Sequence, residues 1–128
     1  MPTESPIWPA RLDHLRLDAE NPTALAAFYG ACLGLVETPL TDDTWLMERP
    51  GRRLVIGPGA NGGRAYHAYR LENRGQLEAV RAFIAGQGIN MEASPSLLFG
   101  DDAVCVRDPD GWLNIFGLPR PDRAPPRA

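Results

Sequence analysis

The chain has only two histidines, His14 and His67, set 53 positions apart in matching surroundings. Residues 11–35 read RLDHLRLDAENPTALAAFYGACLGL, and residues 64–89 read RAYHAYRLENRGQLEAVRAFIAGQGI. In each copy a short strand-like run carries the histidine. A polar turn with an asparagine follows, then a helix-like stretch closing at Gly34-Leu35 or Gly88-Ile89. Such self-similarity marks a duplicated module. Two imidazoles at equivalent points of a repeat are the natural start of a divalent-metal site, since neutral imidazole is the commonest metal-ligating side chain. The two first strands that carry His14 and His67 are therefore expected to lie around a shared site, with the two imidazoles facing one another across a cleft.

Other residues on the same strands could orient an organic ligand. Arg16 shares a strand face with Leu12 and His14; Tyr69 shares one with Ala65, His67 and Leu71. A guanidinium and a phenol so placed suit an acidic or phenolic molecule. Trp45, Trp112 and Phe116 would form an aromatic wall or pack in a core. Asp13, Glu48, Glu92 or a partner chain could lend a carboxylate. Residues 57–63 lack the strand-to-helix setting of a phosphate loop. No Ser/His/Asp or Cys/His grouping argues for nucleophilic catalysis. Cys32 and Cys105 are too few and too far apart for a zinc motif or a disulfide framework, and read as small buried hydrophobes.

The elements that must position these residues follow from local signals. Residues 11–17 alternate as a strand. Asn21-Pro22 starts a helix, with Asn as cap and Pro in the first turn. Leu25, Phe28, Tyr29, Cys32 and Leu33 follow helical spacing up to Gly34. Residues 44–48 and 53–56 are strands joined by the turn Arg49-Pro50-Gly51-Arg52. Residues 58–63, PGANGG, are a flexible joint between the copies. In the second copy, residues 65–71 form a strand, Asn73 caps a helix with Gln76 at the capping-box position, and Leu77, Val80, Phe83 and Ile84 make its apolar stripe. Residues 91–93, 103–107 and 112–116 are strands, the last two linked by Asp108-Pro109-Asp110-Gly111, a type I turn. The order is βαβββ twice, an α+β fold.

Length gives one domain, spanning residues 11–118 with modules 11–57 and 64–117, after a proline-containing lead-in over residues 1–10. Residues 119–128, rich in proline and arginine, read as a linker or disordered tail. The net charge is −3 and the arginines are scattered, which argues against a nucleic-acid partner. No apolar run is long enough for a membrane span, no secretory pattern opens the chain, and a cytoplasmic location is the default expectation.

Three segments together resemble the vicinal-oxygen-chelate superfamily of glyoxalase I, bleomycin-resistance proteins and extradiol dioxygenases. They are Leu12-Asp13-His14-Leu15, then Phe28-Tyr29 with Leu33-Gly34-Leu35, then Asp108-Pro109-Asp110-Gly111. Residues 66–71 and 94–101 are similar to the N-terminal half of two-domain extradiol dioxygenases, in which the second domain does the catalytic work. The resemblance implies paired βαβββ modules in a U-shaped mixed sheet around a cleft, with a divalent metal (Fe, Mn, Zn or Ni) held by His14, His67 and a carboxylate, leaving positions open for substrate. It also implies a carboxylate four residues after the Asp-Pro-Asp-Gly turn, where this chain has Ile115, beside Asn114 on the opposite face. The end of the fourth strand, Leu54-Val55-Ile56-Gly57, has no carboxylate either. Two functions are implied. One is part of a ring-cleavage dioxygenase acting on a catechol-type substrate. The other is a metal-free protein that binds a small aromatic ligand, as bleomycin-resistance proteins do. Either would work as a homodimer or beside a second domain of the same fold, with Trp45, Met47, Trp112 and Phe116 forming the apolar contact.

Overall fold

The computed structural model describes residues 5–8, 10–60 and 66–123. The fold is α+β, with eight strands in a mixed sheet and two helices. The first module runs β1 (Arg11–Ala19), α1 (Pro22–Ala31), β2 (Val36–Thr41), β3 (Thr44–Arg49) and β4 (Arg52–Pro58). The second runs β5 (Tyr66–Arg70), α2 (Arg74–Gly86), β6 (Met91–Glu92), β7 (Val104–Arg107) and β8 (Leu113–Gly117), and a 3-10 turn follows at Pro121–Arg123. The βαβββ order holds twice. β2 is the strand whose position the residue pattern did not mark. It carries Pro39 in mid-strand, which a sheet tolerates at an edge, and β2 is an edge strand.

Contacts group the chain into two compact units whose limits fall inside β1 and β5: Asp13–His67, and Met1–Leu12 with Ala68–Ala124. In the first unit the strand order is β2-β3-β4-β1. β3 is antiparallel to both neighbours, and β1 runs parallel to β4 with Leu15 beside Leu54. Helix α1 starts where the Asn21 side chain accepts a hydrogen bond from the Ala24 amide. It ends at Gly34, whose φ of 73° only glycine adopts without strain. Its core is Ala26, Met47 and Ile56, with Leu25, Tyr29, Leu35, Trp45 and Leu54 against it.

In the second unit the order is β5-β8-β7-β6. Asn73 caps α2 by accepting from the Gln76 amide, while the Gln76 side chain reaches back to the Glu72 amide rather than to the cap itself. Leu77, Val80 and Ile84 bury the apolar stripe against Leu71, Val104, Val106 and Phe116. The Asp108-Pro109-Asp110-Gly111 turn closes with the Gly111 amide on the Asp108 carbonyl at 2.9 Å.

Three expectations need correction. The start of the tail is ordered: the Arg120 amide donates to the Leu98 carbonyl at 2.8 Å and its guanidinium meets Asp101 at 2.7 Å. Backbone pairing remote in sequence overrides the local proline signal there. Residues 124–128 and 61–65, the latter holding half of the expected flexible joint, lie outside the described residues. Cys32 is exposed because the helix turns it outward, whereas Cys105 is buried and burial pushes its thiol pKa up. Finally, Met47 and Phe116 are buried and Trp45 packs on the first unit's core, so of the four residues expected to form an apolar patch only Trp112 is substantially exposed.

Candidate functional site

The densest buried chemistry lies in the first unit, where β1, β4 and β3 set polar side chains in a row. Arg53 on β4 pairs in register with Glu48 on β3, and its Nε donates to Glu48 Oε2 at 2.9 Å. On the other side, Arg53 Nη1 donates to Asp13 Oδ2 at 2.9 Å. The same carboxylate oxygen meets His14 Nδ1 at 2.7 Å. With the imidazole proton on Nδ1, His14 donates to this oxygen. The edge of one ring then meets the face of the other between His14 and Tyr66, with centroids 5.6 Å apart and planes at 83°. Asp13, His14, Arg53 and Tyr66 are all buried. A guanidinium shared by two carboxylates satisfies the usual demand that a buried charge be paired and hydrogen-bonded.

Burial pushes the His14 pKa below its ordinary value, and the hydrogen bond to Asp13 works against this. The folded chain thus resists a proton that the unfolded chain accepts below about pH 6.5. Stability present above that pH is lost as pH falls through it toward the lowered folded value. We expect thermal unfolding of the wild type to drop between about pH 8 and pH 5, and the drop to shrink in His14→Gln. An unchanged slope in the variant would show that His14 does not cause it.

The expected pair of histidines does not converge. Tyr66 turns toward His14, and successive strand residues project to opposite faces. His67 therefore points away from His14, and it is exposed. A register of one residue separates the expectation from the structure. The sequence did carry the correct count: His14 lies seven residues before the cap Asn21, and Tyr66 lies seven before the cap Asn73. Measuring from the helix caps rather than from the closing glycines identifies Tyr66 as the equivalent of His14. Arg53 faces Glu48 across the β3–β4 hairpin five residues away, but its other partner, Asp13, is 40 residues away and left no comparable signal.

The other candidates are dispersed. Arg16 Nε donates to Asp18 Oδ1 at 2.8 Å and its guanidinium lies over Gly57. Tyr69 stacks on Phe116, centroids 5.3 Å apart. Trp112 lies at the Asp-Pro-Asp-Gly turn, where its amide bonds Asp108. Ile115 is fully buried. Asp13 and His14 alone have the geometry by which a carboxylate fixes a ligating imidazole. The Asp13 and Glu48 carboxylates are both engaged by Arg53, and no group of three His, Cys, Asp or Glu able to hold an ion occurs among the described residues. The residues present do not fit a two-histidine, one-carboxylate metal centre.

No family model and no curated protein matches the chain. Solved structures do. Homoprotocatechuate 2,3-dioxygenase from Arthrobacter globiformis aligns with a TM-score of 0.69 at 23% identity, over 85% of this chain and 36% of that one. A catechol 2,3-dioxygenase aligns at 0.70 and 19%, over 85% and 41%. A variant of the homoprotocatechuate enzyme from Brevibacterium fuscum aligns at 0.69 and 22%, over 91% and 35%. At these identities the likeness is one of fold, and the chain spans well under half the length of these dioxygenases.

Proposed function

We propose that the chain is the metal-free module of an extradiol-type ring-cleavage dioxygenase. A second module of the same fold would hold the metal and the catechol-type substrate. The observation that carries this reading is the state of His14. It is locked by Asp13 into an ion network with Arg53 and Glu48, and faces Tyr66 instead of a second ligand. The network ties β1, β4 and β3 together through Asp13, Arg53 and Glu48. The likeness in fold to longer dioxygenases supports the same reading.

The test is elemental analysis of the purified chain after incubation with Fe(II), Mn(II), Zn(II) and Ni(II) and dialysis, with oxygen uptake measured on catechol and on homoprotocatechuate. The expected result is no stoichiometric metal and no uptake. One ion per chain, lost in His14→Gln, would overturn the proposal.

A further inference from the structure

Arginines in this chain are as a rule neutralised. Arg16, Arg53, Arg74, Arg81, Arg107 and Arg120 each form an ion pair with an aspartate or glutamate. Arg49 and Arg52 depart from that rule. They end β3 and begin β4, and they stand directly opposite one another in the hairpin register. Both are exposed, and neither side chain has an ion pair or hydrogen bond among the described residues. The adjacent Glu48 projects to the other face of the sheet and is taken by Arg53. Glu37, exposed on β2 opposite Met47, pairs with neither. Like charges directly opposite on antiparallel strands, with Cβ atoms about 5 Å apart, repel. The turn nevertheless holds them in place. Pro50 fixes its own φ near about −65°, and Gly51 has a φ of 79°. That combination is a type II turn, so both guanidiniums spring from a fixed base.

We propose that this hairpin tip is an anion site, in which Arg49 and Arg52 grip one doubly charged phosphoryl group between them. The charge selects the ligand class. Elsewhere in the chain one guanidinium suffices for a carboxylate: Arg107 donates to both oxygens of Glu92, at 3.0 Å each. Two guanidiniums on one base carry twice that charge. A phosphate monoester at neutral pH carries a charge of roughly −1.5 to −2 and three acceptor oxygens, enough for a fork on each side. A phosphodiester carries a single charge, so a nucleic-acid backbone matches the tip less well. Held between the two side chains, the phosphoryl group replaces their repulsion with two attractions. The whole turn is exposed, so a small phosphate-bearing molecule reaches it without any opening of the fold. The inference is independent of the metal-free reading, because it is read out as anion binding.

Titration of the isotope-labelled full chain, followed by two-dimensional NMR in slightly alkaline buffer of low ionic strength, tests it. The probes are inorganic phosphate and phenyl phosphate, with dimethyl phosphate and acetate as singly charged controls. The expected result is saturable one-to-one binding of millimolar affinity that moves the amide signals of Arg49, Gly51 and Arg52, with the controls clearly weaker. Arg49→Gln and Arg52→Gln should each weaken binding by about fivefold or more while the rest of the spectrum stays in place. Arg74→Gln, which removes an exposed guanidinium on α2, should leave it unchanged. Phenyl phosphate binding as tightly as inorganic phosphate would identify a monoester as the ligand, and a preference for inorganic phosphate would identify the free ion. The absence of a saturable shift, or an equal response to acetate or dimethyl phosphate, would overturn the proposal. So would binding that survives both glutamine variants.

Discussion

Replacing Arg53 by Met is expected to cost about 3–5 kcal/mol of folding stability. The Arg53 side chain is 2% exposed and Asp13 is 0% exposed, so the pair is cut off from water. Met keeps much of the volume but removes the charge, leaving the buried Asp13 carboxylate and the half-buried Glu48 carboxylate without this guanidinium. A carboxylate so placed either takes up a proton or carries an uncompensated desolvation cost. Urea unfolding measures the loss directly, and the midpoint should fall without a change in slope. The double variant Asp13→Asn with Arg53→Met should recover part of the loss, because the cost arises from the charge left behind rather than from the missing pair. A single-variant cost below about 1 kcal/mol would place Arg53 with ordinary surface ion pairs and remove the structural role assigned to the network.

What could be read from the residues was local. Asn21 and Asn73 as caps, Gly34 and Gly88 as closures, and the Asp108–Gly111 turn each involve partners within a few positions, and all appear in the structure. The repeat itself, and with it the βαβββ order, follows from those signals. The facing of strand residues was harder, because it depends on parity. The two histidines are 53 apart, the closing glycines 54 and the capping asparagines 52, and one residue of slip turns every side chain of a strand to the other face. Tyr66 rather than His67 meets His14 for that reason. The Glu48–Arg53 pair spans a hairpin that the residue pattern had marked, but its extension to Asp13 and His14 was out of reach because β1 pairs with β4 from 40 residues away. β2 and residues 119–123 were obscured by their prolines, whose local preference yields to pairing at a sheet edge and with residues 98–101.

Ile115→Glu is the substitution that the family resemblance recommends, since a metal-ligating carboxylate is expected at that position. The structure argues the opposite outcome. Ile115 is 0% exposed and sits on β8 opposite Cys105 of β7. A glutamate there loses the packing of the isoleucine and buries a polar group, together on the order of 3–5 kcal/mol. Burial favours the protonated acid, so its folded-state pKa rises above the unfolded value of about 4.3. The folded chain then keeps a proton that the unfolded chain releases, and the cost grows as pH rises above that value. Thermal melts at low and neutral pH should show the gap from wild type widening with pH. A bound ion stabilises a fold only to the extent that it prefers the folded state, and His67 faces away from His14. Added Mn(II), Zn(II) or Ni(II) should therefore not restore the melting temperature of the variant. Recovery by one equivalent of any of them would mean that the variant chain assembles three ligands, and it would return His14 to the role of a dormant metal ligand.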